Sequence, residues 1–128
     1  MSTLLLVHGL FRWVVVILGL VVLVKLALGV IQKSEFTKLD RQLTMFFSIA
    51  MDIQVLLGLL NLVTLNFPPK GIGHAFIMIL ALVAVHLPNA WRKAPDSVRF
   101  RNTLISFVVS LVLVFIGVAM LGAWTQLA

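Results

Sequence analysis

The sequence predicts an all-α fold, an integral membrane four-helix bundle running up-down-up-down with both termini outside, and three observations carry that expectation. Hydrophobic residues make up 62% of the chain and charged residues only 11%, a balance that cannot keep a soluble surface wet. The apolar residues fall into four runs, each near the ~20 residues that cross a bilayer as a helix. The Lys and Arg residues gather at alternate connections between those runs, which is an orientation signal. Four spans and short connections consume nearly all 128 residues, so residues 1–128 are expected to form one transmembrane domain.

The first span covers about residues 4–31, interrupted by His8, Arg12 and Lys25. It has no basic stretch before its apolar core, carries cations inside it, and is about twice as long as a signal-peptide core, so it reads as a retained helix. Lys25 is placed to snorkel its ammonium toward the nearer headgroups. Residues 32–42, with Lys33, Lys38 and Arg41 against Glu35 and Asp40, read as a polar loop. The second span covers about 43–65 and stops at Pro68-Pro69, with Gly71 permitting a turn. The third covers about 73–91, with Pro88 near its end where a kink is tolerable. A basic segment with Arg99 and Arg101 then leads to the fourth span, about 103–124.

Eight of the ten Lys and Arg residues (Lys25, Lys33, Lys38, Arg41, Arg92, Lys93, Arg99 and Arg101) fall at the first and third connections, against Arg12 and Lys70 on the other side. The positive-inside rule puts those connections in the cytoplasm and both termini on the non-cytoplasmic side. The net charge of +6 is therefore a topology signal, and no nucleic-acid partner is expected. Trp91, Trp13 and Trp124 suit interfacial anchoring, with Trp13 the deepest of them. The absence of cysteine excludes disulfides, thiolate metal sites and thioether-linked haem, so any redox cofactor must be held non-covalently.

Ionisable groups within lipid are costly and mark function or a specific pairing. Here they are His8, Arg12, Asp52, His74 and His86. His8 lies roughly 6 Å below the outer start of the first helix and His74 within about 2 Å of that of the third, two helices that run parallel. Two histidines at matched depth on separate helices of a bundle are the minimum set for binding haem b iron through both axial positions. On the face of His8 lie Arg12, Val15, Gly19 and Leu26. Gly19 leaves room for a flat macrocycle, and Arg12 can neutralise a propionate. The face of His74 continues through Met78, Ala81 and Val85, an apolar wall for a haem pocket. Both histidines also lie near helix ends, where an imidazole can simply meet headgroups and water.

Deeper in the bilayer, Asp52 and His86 fall near the midplane and are expected to form a buried polar pair, with Arg12 as an alternative partner for the carboxylate. Gln54, Gly58 and Asn61 share a face about 200° from Asp52, so the second helix is polar on two sides. Both sides call for protein contacts, which points toward an oligomer or a larger complex. Gly58 and Gly117 read as sites of ordinary close helix packing.

The string His8-Gly-Leu-Phe-Arg12-Trp13, the segment Asp52-Ile-Gln54-Val-Leu-Leu-Gly58, the Gly73-His74 opening with Met78 behind it, and the basic Trp91-Arg92-Lys93 exit together resemble a group of small bacterial four-helix membrane proteins labelled cytochrome b-like. The resemblance spans most of the chain. It implies a multi-pass protein of the bacterial inner membrane, with haem held by His8 and His74. Where some relatives carry Glu-His at the start of the third helix this chain has Gly73-His74, and where some carry histidine in the second helix it has Asp52. A ligand supplied by the second helix is thus not available in the same way.

Three functions follow as expectations. The first is a b-type haem-binding subunit for electron transfer between a quinol or outer-side donor and a larger respiratory or photosynthetic complex, with other membrane subunits, the lipid bilayer and quinone as its partners. The second is a cofactor-free accessory subunit that fills a gap or holds lipid or quinone at the edge of such a complex. The third is a small proton-coupled exporter with Asp52 as its acid, although dimeric exporters of this size carry their essential acid in the first helix, where this chain has none. No catalytic residues are assigned, because no serine has a base and orienting acid in a shared wet cleft and no phosphate loop or metal-ligand cluster occurs. Autonomous enzymatic activity is not expected.

Overall fold

A computed structural model describes residues 2–125, and among them every regular element is helical. The four long helices are α1 (Thr3–Gln32), α2 (Lys38–Thr64), α3 (Pro69–His86) and α4 (Asp96–Met120). Each is long and apolar enough to cross a membrane, the third when taken on to Trp91. Their outward faces carry Ile17, Val24, Leu56, Phe76 and Phe115, all more than half exposed, an apolar exterior that suits lipid contact.

Helix α1 opens on Ser2, whose hydroxyl accepts from the Leu5 N–H at 3.1 Å, and it closes in a Schellman motif. There the Ser34 and Lys33 N–H groups donate to Gly29 and Val30 carbonyls and Lys33 takes the left-handed conformation, φ 51°. The buried stripe runs through Gly9, Arg12, Val15, Gly19, Val22, Leu26 and Gly29, the face that helical periodicity assigns from His8.

Helix α2 begins well before the apolar run does. The Asp40 carboxylate reaches back to accept from the Thr37 N–H at 2.9 Å and its hydroxyl at 3.0 Å, fixing the helix start inside the segment read as a loop. That carboxylate also accepts from Lys25 Nζ at 2.6 Å. Lys25 therefore pairs across the α1–α2 interface instead of extending to headgroups. The side chain of Asp40 is fully buried while that of Lys25 is one-third exposed, so the two substitutions differ. Lys25→Met should cost about 3 kcal/mol by stranding a buried carboxylate, and Asp40→Asn about 1–2 kcal/mol because the ammonium can still reach water. A double-mutant cycle in mixed-micelle unfolding checks this, and the double variant should lose less than the sum.

Helix α3 starts at Pro69, four residues ahead of the expected Gly73, because proline at the first helical position sacrifices no needed N–H. Asn66 and Phe67 take φ 57° and 54° and turn the chain between α2 and α3. The third span is not α-helical to its end. From Leu87 to Trp91 it tightens into a 3-10 turn, where Pro88 cannot donate to the α-helical ladder. Helix α4 likewise starts earlier than the apolar run, behind Pro95 with Asp96 in its first turn. The Arg99 guanidinium lies 3.9 Å from the Phe36 ring centroid, so the basic segment is a packed helical turn.

Consecutive helices pack against each other, and α4 closes the ring against α1. Among the described residues α1 and α3 share no contacts and stand diagonally opposed. The half of the bundle where α1 finishes is densely filled. Phe47 and Phe107 meet at 5.3 Å, Phe36 and Phe100 at 4.8 Å, and Leu26 and Val22 complete a core with almost no solvent contact. Ser110 and Trp91 tie α3 to α4 by donating to the Ala81 carbonyl at 2.9 Å and the Thr103 hydroxyl at 3.1 Å. At the other end Gly122, φ 62°, turns the chain back after α4. Trp124 then donates from Nε1 to the Phe115 carbonyl and packs edge-on against Trp13.

Candidate functional site

The half of the bundle where α1 begins encloses a cavity of about 290 Å³ to which all four helices contribute. Its wall is mostly apolar, with His8 and Arg12 from α1, Gln54 and Asn61 from α2, and His74 and Met78 from α3 as the residues of chemical interest. The two histidines thus reach one cavity from diagonal helices.

His74 is fixed by a backbone bond, its Nδ1 lying 2.8 Å from the Gly117 carbonyl oxygen. A carbonyl can only accept, so Nδ1 carries a proton, and in the neutral ring Nε2 keeps its lone pair. Gly117 falls within the last turn of α4, and the Leu121 N–H, four residues on, donates to the Val118 carbonyl instead of to that of Gly117. The histidine supplies a donor to the Gly117 carbonyl and is itself oriented by it. A Cβ on Gly117 would lie 3.5 Å from His74 Nδ1 and 2.2 Å from Met78 Cε. Since the methyl end of methionine can swing into the cavity, Gly117→Ala should cost less than about 1 kcal/mol in mixed-micelle unfolding.

His8 is seated by a second glycine. A Cβ on Gly58 would stand 3.0 Å from His8 Cε1 and 3.4 Å from Nε2, so the imidazole packs directly on the α2 backbone. Gln54 holds the same turn of α1, donating from Nε2 to the His8 carbonyl at 2.8 Å, and Asn61 donates from Nδ2 to the Leu4 carbonyl at 3.5 Å. These bonds settle which way each amide points. They leave Gln54 Oε1 and Asn61 Oδ1 buried without a protein partner, as is His8 Nδ1, among the described residues.

Arg12 is buried and lines the cavity, with its guanidinium 5.0 Å from the Trp13 ring centroid and 5.9 Å from that of Trp124. Gly19 stands apart. It lies beneath Leu111 and Phe47, whose side chains occupy the space a Cβ would need, and it does not line the cavity. Its missing side chain makes room for core packing, not for a ligand in this cavity.

The expected pairing of Asp52 with His86 is present, with His86 Nε2 2.8 Å from Asp52 Oδ1. It is not buried. The side chains are 47% and 42% exposed on the outside of the α2–α3 face, and Arg12 lies elsewhere, in the cavity. Of the two polar faces of α2, the Gln54–Gly58–Asn61 face lines the interior and the Asp52 face looks out. Those three residues and Gly117 are the site members that sequence reasoning did not assign. Their signal was present in the spacing of 54, 58 and 61 and in glycines at the depth of each histidine.

His8 and His74 are the imidazoles that the cavity offers to a ligand. Among the described residues no group of three His, Asp or Glu side chains converges, whereas a tetrahedral structural zinc site takes four ligands. Two imidazoles reach this cavity from diagonal helices, and imidazole is a donor type that haem iron takes at its axial positions. Compared with known protein families, with characterised proteins and with solved structures, the chain matches none.

Proposed function

We propose that the chain is a b-type haem-binding subunit of a bacterial cytoplasmic membrane, serving electron transfer within a larger respiratory or photosynthetic complex. In this reading the helices alternate up-down-up-down, both termini lie on the non-cytoplasmic side, and the cavity opens toward that leaflet. The observation that carries it is the convergence of His8 and His74 on one cavity, with His74 Nε2 left free by the Nδ1 bond to Gly117.

His74 and His8 would hold the iron, Gly58 and Gly117 would give the two rings their seats, and Arg12 would neutralise a propionate from beside Trp13 and Trp124. Haem would supply a one-electron redox centre. The apolar wall contributed by Met78 and its neighbours would keep water from that centre. Protein purified from cells grown with ample haem is expected to give a pyridine haemochrome near one haem per chain and a low-spin bis-imidazole spectrum. A colourless product would overturn the reading.

A second reading is favoured by Gln54 Oε1 and Asn61 Oδ1, two buried acceptors that ask for a ligand with hydroxyl donors. A cofactor-free subunit holding a quinol headgroup in this cavity would meet that demand. It predicts saturable quenching of Trp13 and Trp124 fluorescence by a quinol in haem-free protein, lost in Gln54→Leu. Quenching that survives Gln54→Leu would remove this reading.

A further inference from the structure

The Asp52–His86 pair has no part in the cavity and stands where lipid would be a poor neighbour. Asp52 lies near the middle of α2, and His86 ends α3 beside it. Both are nearly half exposed, in a field of exposed apolar side chains: Ile49, Ile53 and Leu56 on α2, Val83 on α3 and Leu87 at the start of the 3-10 turn that follows it. Polar groups at such a position face protein rather than hydrocarbon.

Valence counting says what kind of protein. The single bond between the pair uses His86 Nε2 and Asp52 Oδ1, and among the described residues neither side chain has another partner. Hydrocarbon disfavours a pair with net charge, and in either uncharged form, imidazolium with carboxylate or neutral imidazole with carboxylic acid, the same two groups remain: an Nδ1–H donor on His86 and an oxygen acceptor on Asp52. One donor and one acceptor side by side are complementary to themselves under a two-fold rotation. From this we infer that a second copy of the chain docks on the outer α2–α3 face, with each His86 Nδ1–H donating to Asp52 of the other copy. The result is a closed ring of four hydrogen bonds with no net charge, walled from lipid by the surrounding isoleucine, leucine and valine side chains. Such a patch meets the self-complementarity that an isologous interface demands.

The test is dimerisation of the full-length chain in lipid bilayers, read by single-molecule photobleaching across a dilution series. Wild-type protein is expected to form dimers. The double variant Asp52→Leu/His86→Leu removes both members of the pair without stranding either, so it should fold, with unchanged helical content and unchanged ligand binding in the cavity. Its dimer dissociation constant should rise about 10- to 100-fold, the range for losing two interhelical hydrogen bonds in a membrane. The absence of native cysteine permits a second readout: Ile53→Cys should crosslink two copies under oxidation, whereas Val24→Cys on the outward face of α1 should not. Monomers at every density, an unchanged constant in the double variant, or crosslinking at Val24→Cys but not at Ile53→Cys would overturn the inference. So would coverage of this face by a different subunit, seen as protection of Ile53→Cys from thiol reagents in a heteromeric complex and its loss on removing that subunit.

Discussion

His74→Ala, expressed with ample haem, is expected to purify with its helices intact and without stoichiometric haem, and free imidazole should restore part of the absorbance. The substitution deletes two things at once. It removes the free Nε2, and it removes the donor to the Gly117 carbonyl at the end of α4. Outer-sphere partners of a metal ligand alone carry about 10- to 100-fold in affinity, so loss of the ligand itself should exceed that range. The unsatisfied carbonyl adds about 1–2 kcal/mol of destabilisation. Imidazole separates these effects, because it can return a ligand to the cavity without repairing a misfolded chain. His8→Ala should also lose haem, and with its own cost in stability, since the His8 ring interacts with the Gln54 backbone. Wild-type spectra in both variants would show that the iron is held elsewhere.

Gly29→Ala is expected to destabilise the bundle by about 3 kcal/mol, more than the same substitution at the other described glycines. The added Cβ would stand 2.2 Å from Phe100 Cε1 and 2.5 Å from Cδ1. Phe100 cannot yield. It has no solvent exposure, its ring packs on Phe36 at 4.8 Å, and Lys25 Nζ lies 6.0 Å from its centroid on the way to Asp40. Gly117→Ala meets a nominally equal approach, 2.2 Å, but to the mobile end of Met78 beside a cavity. Unfolding midpoints in mixed micelles should therefore fall sharply for the first and barely for the second. Equal losses would mean that contact distance, and not the freedom of the neighbour to move, sets the cost.

The existence of four spans and the buried stripe of α1 were legible because hydrophobic run length and a period of 3.6 residues are properties of the chain itself. The helix starts were not. Thr37–Asp40 and Pro95–Asp96 begin α2 and α4 inside charged segments, where hydropathy falls although the backbone is still helical. A capping pattern of Thr followed by Asp three residues later was the available signal for α2. The orientation of α2 was harder. Asp52 and the Gln54–Asn61 stripe each offered a polar face, and the choice between them rests on what α1 and α3 present in return. Lys25 shows the same limit: its partner is fifteen positions away along the chain and appears only when α1 and α2 pack. Gly58 and Gly117 gain meaning only once each is seen opposite an imidazole.

The unequal filling of the two halves has a kinetic consequence. Aromatic rings and an ion pair clamp one end of the helices, while the other is held around a void by a few hydrogen bonds to backbone carbonyls. Opening free energies should therefore grade along the helix axes, and amides near the start of α1 and the end of α2 should exchange with solvent deuterium well before those of residues 20–30. A guest can then enter and leave through fluctuations of one end alone, with the clamped end keeping the helices in register throughout.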